Sequence, residues 1–153
     1  MLHLEKFKDL SDIEECVDIY LKRNDESFIP SNRDVSCSSL FHDIKDRCPA
    51  RVILDDDEIV GFILAGFNKV QFSLFGMLIV KFFVSNLSGF KAAKAVWLSH
   101  QYLIDVAEGA HVGIVMTQAS PFDTDNNLCK ILKKKGWDTR GHTAIYKTKY
   151  YDR

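Results

Sequence analysis

Apolar residues are most concentrated at residues 78–84, an almost continuous run of β-branched, aromatic and aliphatic side chains. Such a run predicts a central strand that is buried on both faces. Turn-forming residues follow at 85–89, and an Ala-rich stretch over 91–108 predicts a long helix that ends at Gly109. A helix that begins at the carboxyl edge of a sheet presents free N–H groups and a positive dipole end there. This loop therefore predicts an anion site, with phosphate as the first candidate.

The chain before this stretch alternates between shorter patterns. Apolar residues at positions 2–7 predict an edge strand, and Ser11 with Glu14 forms a capping-box pattern that predicts the start of an amphipathic helix. Residues 24–39 are rich in Asn, Ser and Asp, which favours a loop, and a weak helical pattern follows at 40–44.

Residues 51–66 predict an antiparallel hairpin, since two apolar runs flank the acidic stretch at 55–57. We interpret these acids as a solvated turn rather than as a metal site. A further turn at 69–73 leads into the strand at 78–84, which completes an antiparallel meander before the long helix.

After the long helix, residues 111–117 are rich in β-branched side chains and predict a strand, which the helical crossover makes parallel to the central strand. Asp123 or Thr124 is then expected to cap a helix that runs to Lys135. Two short strands on either side of Gly141 follow. The predicted order is β, α, α, β, β, β, α, β, α, β, β.

Composition limits the classes of function. The 153 residues correspond to one domain that spans positions 1–153. The 20 Lys and Arg balance 21 Asp and Glu, and this net charge of -1 attracts neither nucleic acid nor a membrane. The lysines at 133–135 are interpreted as partners of a helix dipole. With no leader-like N-terminus and no apolar run of about 20 residues, we expect a cytoplasmic protein. Four scattered Cys residues predict reduced thiols.

Three features of the sequence carry a resemblance to a known family: the element order, the strand, loop and helix at the parallel step, and Gly136 with Trp137 after the last helix. In these features the sequence resembles the GCN5-related N-acetyltransferase (GNAT) family, in the form of a small phage or bacterial protein. The resemblance covers nearly the whole chain. It implies an α/β (α+β) fold with a mixed, mostly antiparallel sheet, one parallel strand pair and flanking helices. It also implies acetyl-CoA as co-substrate and a primary amine of a small molecule, a protein or a modified nucleotide as acceptor.

In that family the acyl-CoA arm lies where the strand that ends here at Val84 splays from the strand that ends at Thr117. A loop of six residues wraps the pyrophosphate in the family. Its first residue is Arg or Gln, its fourth is Gly, and its sixth is Gly or Ala. Spacing places this loop on residues 89–94, with Gly89 at the basic or amide position and Ala92 at the first small one. The alanines are also good helix formers, which leaves a structural role open. The residues that the resemblance assigns to the cofactor are Phe83, Val84, Ser85, Gly89, Phe90, Lys91, Ala92, Ala93, Lys94, Asn126 and Asn127.

A second family motif, an Asn followed by an aromatic pair and Gly-Phe or Gly-Tyr, is similar to residues 125–137. Asn126 and Asn127 stand beside the place of the Asn that often holds the pantetheine arm, or they open the helix. The Tyr that often protonates the departing thiolate in the family is replaced here by Leu132, which cannot donate a proton. A general acid is therefore expected elsewhere, with Tyr146 on the last strand as a candidate.

Acyl transfer to an amine needs a group that accepts the amine proton and N–H groups that polarise the thioester carbonyl. Glu58, His111 and His142 are the titratable candidates, and each is interpreted first as a surface residue. Ser120 is better placed, because ligands of open sheets lie beyond the carboxyl ends of strands and Ser120 follows such an end. The expected catalytic residues are Ser120 and Tyr146, and no metal is expected.

Three classes of function stay open at this point. The first is an N-acetyltransferase. The second is a catalytically degraded protein of the same fold that acts by binding CoA or a protein partner, which Leu132 and the incomplete loop favour. The third is an interaction protein whose contact face is the aromatic-rich stretch at 67–83.

The acceptor and the oligomeric state are not determined by the sequence. In the family the acceptor pocket is formed by the segment that corresponds to residues 24–39 and by the C-terminal hairpin. These segments contain Phe28, Arg33, His142 and Tyr146, which carry no diagnostic charge. The aromatic residues expected either in the core or at a homodimer interface are Phe72, Phe75 and Trp97.

Overall fold

The computed structural model describes residues 1–23, 32–69, 76–120 and 125–151. Its elements follow one another as β1 (Leu2–Glu5), α1 (Leu10–Arg23), α2 (Arg33–Lys45), β2 (Ala50–Asp55), β3 (Glu58–Lys69), β4 (Gly76–Ser85), α3 (Gly89–Gly109), β5 (Ile114–Gln118), α4 (Asn127–Lys133), β6 (Asp138–Arg140) and β7 (Thr143–Lys147). The predicted order of helices and strands is confirmed. Helix α2, however, begins at Arg33, where the sequence favoured a loop up to residue 39, because the Asn32 side chain accepts the Val35 N–H and caps the helix there.

The strands form one sheet in the order β1-β2-β3-β4-β5-β7-β6. Strands β4 and β5 pair in parallel over Met77–Ile79, and the other pairs whose register is described are antiparallel. The prediction of a mixed, mostly antiparallel sheet with one parallel pair is therefore confirmed. The crossover from β4 through α3 to β5 produces the parallel step.

The chain divides into two compact units. The N-terminal unit contains residues 1–64 and 82–95, and the C-terminal unit contains residues 65–81 and 96–153. That residues 1–153 form one domain stays a prediction.

In the N-terminal unit, α1 and α2 pack with β2 and β3. The buried side chains of this core are Ile13, Cys16, Val17, Leu40, Ala50, Val52, Leu54, Phe62 and Leu64. Helix α1 begins at Leu10, and the carboxylate of Asp9 accepts the N–H of Asp12 at 3.2 Å. The predicted cap at Ser11 is therefore wrong, because Ser11 lies inside the helix and the Asp9 carboxylate, two positions earlier, already binds an amide of the first turn.

Burial along the central strands differs from the prediction. Strand β3 has the longer buried run, from Val60 to Gly66. In β4, Leu78 is fully buried, but Lys81 is exposed and Phe82 keeps 40% of its surface. The prediction that residues 78–84 are buried on both faces is wrong. An apolar run shows that a strand can be buried, but it does not show whether helices cover that strand.

In the C-terminal unit, the core includes side chains of α3, β5, α4 and β7. Its fully or almost fully buried apolar residues include Leu103, Ala107, Val115, Cys129, Leu132, Trp137 and Ala144. Strand β5 begins at Ile114 and not at His111, which takes a φ of +58° in the preceding turn and stacks on Tyr150 with ring centroids 4.5 Å apart.

Several predictions at loops depend on which residues are described. Helix α4 ends at Lys133, two residues earlier than predicted, and is preceded by Asn126 as its cap residue. Other predictions concern residues outside the described ranges. These are the predicted caps Asp123 and Thr124, the aromatic residues Phe28, Phe72 and Phe75, and most of the turn at 69–73. Trp97 is 36% exposed and lies under the Lys135 ammonium at 4.5 Å.

The cysteine thiols are free, as predicted, and Cys16 and Cys129 are buried. Burial raises the pKa of the Cys16 thiol, so this sulfur is not an activated nucleophile. None of the helices in the described ranges has the length and apolar character needed to cross a membrane.

Candidate functional site

The turn from β4 into α3 depends on a glycine. Gly89, the first residue of α3, has a φ of +59°, and a Cβ placed there would meet nothing within 4 Å. Backbone conformation rather than space therefore favours glycine, since a left-handed residue with a side chain costs roughly 1–2 kcal/mol. Gly89 and Phe90 are exposed, and the first amides of a helix have no partner within it. This turn offers the N–H donors and the positive dipole end that an anion requires.

Arg23, the last residue of α1, binds the loop that precedes Gly89. Its Nε donates to the carbonyl oxygen of Ser85 at 2.7 Å and its Nη2 donates to that of Leu87 at 3.3 Å. The Asn86 N–H donates to the Val60 carbonyl of β3 at 2.9 Å. Sequence reasoning missed Arg23, since its position in the last turn of a helix suggests only a partner for the helix dipole.

The loop lysines have different surroundings. The Lys91 ammonium lies 2.6 Å from Oδ2 of Asp55, the last residue of β2. Hydrogen bonding and charge attraction in this pair raise the pKa of Lys91 and lower that of Asp55. Lys94, Ala92 and Ala93 are half-buried. The charge of Lys91 is therefore balanced by a carboxylate, and Asp55 has a structural partner rather than the purely solvated position that the sequence indicated.

The end of β4 lies very close to β3. A Cβ on Gly61 would lie 2.2 Å from the carbonyl oxygen of Val84 and 2.9 Å from the Cα of Ser85. Phe83, Val84 and Ser85 are half-buried. The absence of a side chain at Gly61 therefore determines where the last residues of β4 lie.

Asn126 and Asn127 occupy the start of α4 in the C-terminal unit. Asn126 is left-handed, with φ 54° and ψ 42°, and its Nδ2 donates to the carbonyl oxygen of Gly141 at 2.6 Å. Its Oδ1 is buried and finds no hydrogen-bond partner among the described residues. Asn127 is exposed. One side of the Asn126 amide thus connects α4 to the β6–β7 turn, and the other is available as an acceptor.

The two predicted catalytic residues lie at different levels of the same strand pair. Tyr146 of β7 pairs with Val115 of β5, whereas Ser120 follows the carboxyl end of β5 and is exposed. At roughly 3.3 Å per residue, their backbones are on the order of 15 Å apart along the sheet. Tyr146 is half-buried, and its ring centroid lies 5.6 Å from that of Trp137. The geometry does not bring these two residues together for one direct proton transfer.

A buried histidine, which sequence reasoning missed, lies next to this strand pair. His100 of α3 has no exposed surface; its Nδ1 lies 2.8 Å from the Val96 carbonyl oxygen and its Nε2 lies 3.3 Å from Oγ1 of Thr117. A carbonyl only accepts, so Nδ1 carries the proton and Nε2 accepts from the Thr117 hydroxyl. Burial lowers the pKa of His100 to about 4, although the bond to Val96 opposes this shift. The imidazole is neutral near pH 7.

The remaining titratable candidates are surface groups. Glu58, His111 and His142 are all exposed, and the backbone carbonyl of His142 accepts the Ala119 N–H at 2.7 Å. Leu132, at the place of the family's Tyr, is 1% exposed and belongs to the core. Within the four described ranges, no group of three or more His, Cys, Asp or Glu side chains could hold a metal ion.

No model of a known protein family matches this sequence, and no curated protein matches it. Solved structures do match. An N-acetyltransferase from Staphylococcus aureus Mu50 has a TM-score of 0.74 at 12% identity and covers 96% of this chain and 98% of its own. The protein yncA from Salmonella typhimurium, solved with its cofactor acetyl-CoA, has a TM-score of 0.75 at 10% identity over 99% of this chain and 96% of its own. The chain has the GNAT fold.

An aminoglycoside 6'-acetyltransferase of type Ii shares this GNAT fold as well, with a TM-score of 0.71 at 16% identity over 99% of both chains. These identities establish a likeness of fold. The predicted fold class is confirmed, and the roles of the individual residues stay predictions.

Proposed function

We propose that this GNAT-fold protein is an acetyl-CoA-dependent N-acetyltransferase whose pyrophosphate site is the loop from Ser85 to Gly89 with the first turn of α3. The main support is the left-handed Gly89 at the start of this helix, with exposed amides beside it. The Arg23 guanidinium also donates hydrogen bonds to two carbonyls of the preceding loop. The acetyl-CoA held by the similar protein yncA supports the choice of ligand. The backbone of Phe83, Val84 and Ser85 would bind the adjoining pantetheine arm.

The proposed reaction joins the acceptor nitrogen to the acetyl carbon and breaks the carbon–sulfur bond of the thioester. The amine loses one proton, and the departing CoA thiolate takes one up. Ser120 is the preferred proton carrier, since it lies beyond the carboxyl end of β5 and is exposed. Tyr146, packed on Trp137, is the second candidate.

The alternative is a protein of the same fold that binds CoA or a protein partner without catalysis. Its specific support is Leu132, a core residue at the place where the family often has a proton-donating Tyr. An amine-dependent release of CoA separates the two functions.

Thermal unfolding with acetyl-CoA, CoA and free acetate tests the ligand. At about one hundred times the dissociation constant, acetyl-CoA should stabilise the protein by about 2.7 kcal/mol, which raises the unfolding midpoint by several degrees. CoA should act similarly, because it carries the same pyrophosphate, and acetate should have no effect. If neither CoA species raises the midpoint, the proposal is wrong.

Gly89→Glu tests the location of the site, with Gly89→Gln as its matched control. Both side chains impose the same left-handed strain, since Gly89 has a φ of +59° and open space for a Cβ. Only Glu adds a negative charge where the pyrophosphate would lie. We expect Gly89→Glu to weaken acetyl-CoA binding at least tenfold relative to Gly89→Gln. Equal affinities of the two variants would place the pyrophosphate elsewhere.

A further inference from the structure

The contacts of Arg23 make it more than a surface cation at a helix end. One planar guanidinium binds two carbonyl oxygens, of Ser85 at the end of β4 and of Leu87 within the loop, at 2.7 Å and 3.3 Å. Two donors of fixed geometry determine both the separation and the direction of these carbonyls. A carbonyl oxygen that faced a bound anion would repel it. With these carbonyls bound to Arg23 and the Asn86 N–H bound to Val60, the N–H groups of the first turn of α3 are the donors that an anion would meet.

The charge of Arg23 also differs from that of the nearest loop lysine. Lys91 is balanced by Asp55 at 2.6 Å. For Arg23, no carboxylate of the described ranges lies within ion-pair distance, and its partners are uncharged carbonyls. Gly89 contributes no charge of its own. Within the described ranges, the Arg23 guanidinium thus adds positive charge beside the loop, whereas the charge of Lys91 is balanced by Asp55.

We infer that Arg23 is a positioning residue for the pyrophosphate of acetyl-CoA: it fixes the loop conformation through the two carbonyls and adds positive charge beside the α3 N-terminus. This inference rests on the proposed function. It assigns a cofactor role to a residue more than sixty positions away from the loop in sequence. Arg23 acts on the ligand through the loop and takes no part in bond formation.

A purely structural role would connect α1 to the loop without affecting the ligand. Lys22 provides the matched control, because it is exposed, carries the same charge and occupies the same last turn of α1. Arg23→Lys separates charge from geometry, since an ammonium keeps the charge but does not reproduce the planar two-donor fork.

The experiment measures dissociation constants of acetyl-CoA and of S-acetylpantetheine, which lacks the pyrophosphate, by calorimetry. We expect Arg23→Ala to weaken acetyl-CoA binding about tenfold and to leave S-acetylpantetheine binding unchanged. Arg23→Lys should lose several-fold in acetyl-CoA affinity, and Lys22→Ala should match the wild type for both ligands. The unfolding midpoint of the ligand-free variants should stay within about 2 °C of the wild type.

Four results would overturn the inference. These are wild-type acetyl-CoA affinity in Arg23→Ala, wild-type affinity in Arg23→Lys, an equal loss for both ligands, and an equal loss in Lys22→Ala. All four leave the proposed function standing, because the wild-type protein still binds acetyl-CoA. A wild-type protein that binds no CoA species overturns the proposed function and the role of Arg23 with it. If Arg23→Ala does not fold, Arg23→Lys decides by the same comparison of ligands.

Discussion

His100 shows how burial changes the chemistry of a single residue. Its ring has no exposed surface, its edge packs on Trp137 with centroids 5.6 Å apart, and both nitrogens have neutral partners. These two partners, the Val96 carbonyl and the Thr117 hydroxyl, carry no charge. A proton added to this ring would be cut off from water, and this desolvation lowers the pKa of His100 to about 4.

The stability of the protein should depend on pH through His100. Its pKa falls from 6.5 in the unfolded chain to about 4 in the folded one. Above pH 6.5 the residue is neutral in both states, and as pH falls from 6.5 to 4 only the unfolded chain takes up the proton. The contribution of His100 to the free energy of unfolding should therefore fall by about 3 kcal/mol over this range and stay constant below it.

Denaturant unfolding at several pH values checks this, with His100→Gln compared to the wild type. The slope of the unfolding free energy against pH between 4 and 6.5 should be smaller in His100→Gln by up to about 1.4 kcal/mol per pH unit. His142→Gln is the control, since it removes an exposed imidazole and leaves His100 in place. Identical slopes in the wild type and in His100→Gln would show that His100 is not buried in its neutral form.

At the scale of elements, the loop from Ser85 to Gly89 begins at a close contact between β3 and the end of β4. Gly61 has no side chain, and the Val84 carbonyl occupies the space where a Cβ would be. The neighbouring Asn86 N–H bonds to Val60 at 2.9 Å. Backbone atoms meet here directly, so the contact has little freedom to adjust.

Gly61→Ala should destabilise the protein by about 1–3 kcal/mol, because the added methyl would lie 2.2 Å from a backbone oxygen that cannot rotate away. It should also weaken acetyl-CoA binding, since Val84 and Ser85 must move. Gly109→Ala is the matched control, as a Cβ at this helix end meets nothing within 4 Å. Urea unfolding measures both variants, and a Gly61→Ala change below about 0.5 kcal/mol would contradict the close contact.

At the scale of the whole molecule, the fold is compatible with both an enzyme and a binding protein. The GNAT fold provides the sheet and the α3 N-terminus, but Leu132 is a core residue and the backbones of Ser120 and Tyr146 are widely separated. Turnover is therefore the property that distinguishes the two functions.

Release of the CoA thiol should depend on an added primary amine if the protein is an acetyltransferase. Ser120→Ala should then lower kcat by about tenfold or more with little change in the affinity for acetyl-CoA, since proton transfer typically contributes 10²–10⁴-fold. Tyr146→Phe should lower kcat less than Ser120→Ala, because Tyr146 is the second candidate and its ring is packed on Trp137. Binding of acetyl-CoA without amine-dependent thiol release for any amine would favour the binding protein.

Part of the fold and of the candidate site could be predicted from the sequence. The element order and the parallel step follow from local apolar patterns and from the right-handed crossover, and both are confirmed. Gly89, which spacing places at the start of the predicted phosphate loop, has a φ of +59°. The wrong predictions include the cap at Ser11 and the burial of β4, which depend on neighbours in space rather than in sequence, and the loop at 24–39, where α2 already begins at Arg33.

The sequence by itself determined the order of the helices and strands, the fold class and the glycine at the start of α3, because these depend on short-range periodicity and on backbone conformations that few residues adopt. Only the tertiary structure decided that Arg23 binds the carbonyls of Ser85 and Leu87, that Lys91 is paired with Asp55 and that His100 is buried and neutral. Hydrogen bonding, charge pairing and desolvation act between groups that folding brings together, and they leave no periodic trace along the chain.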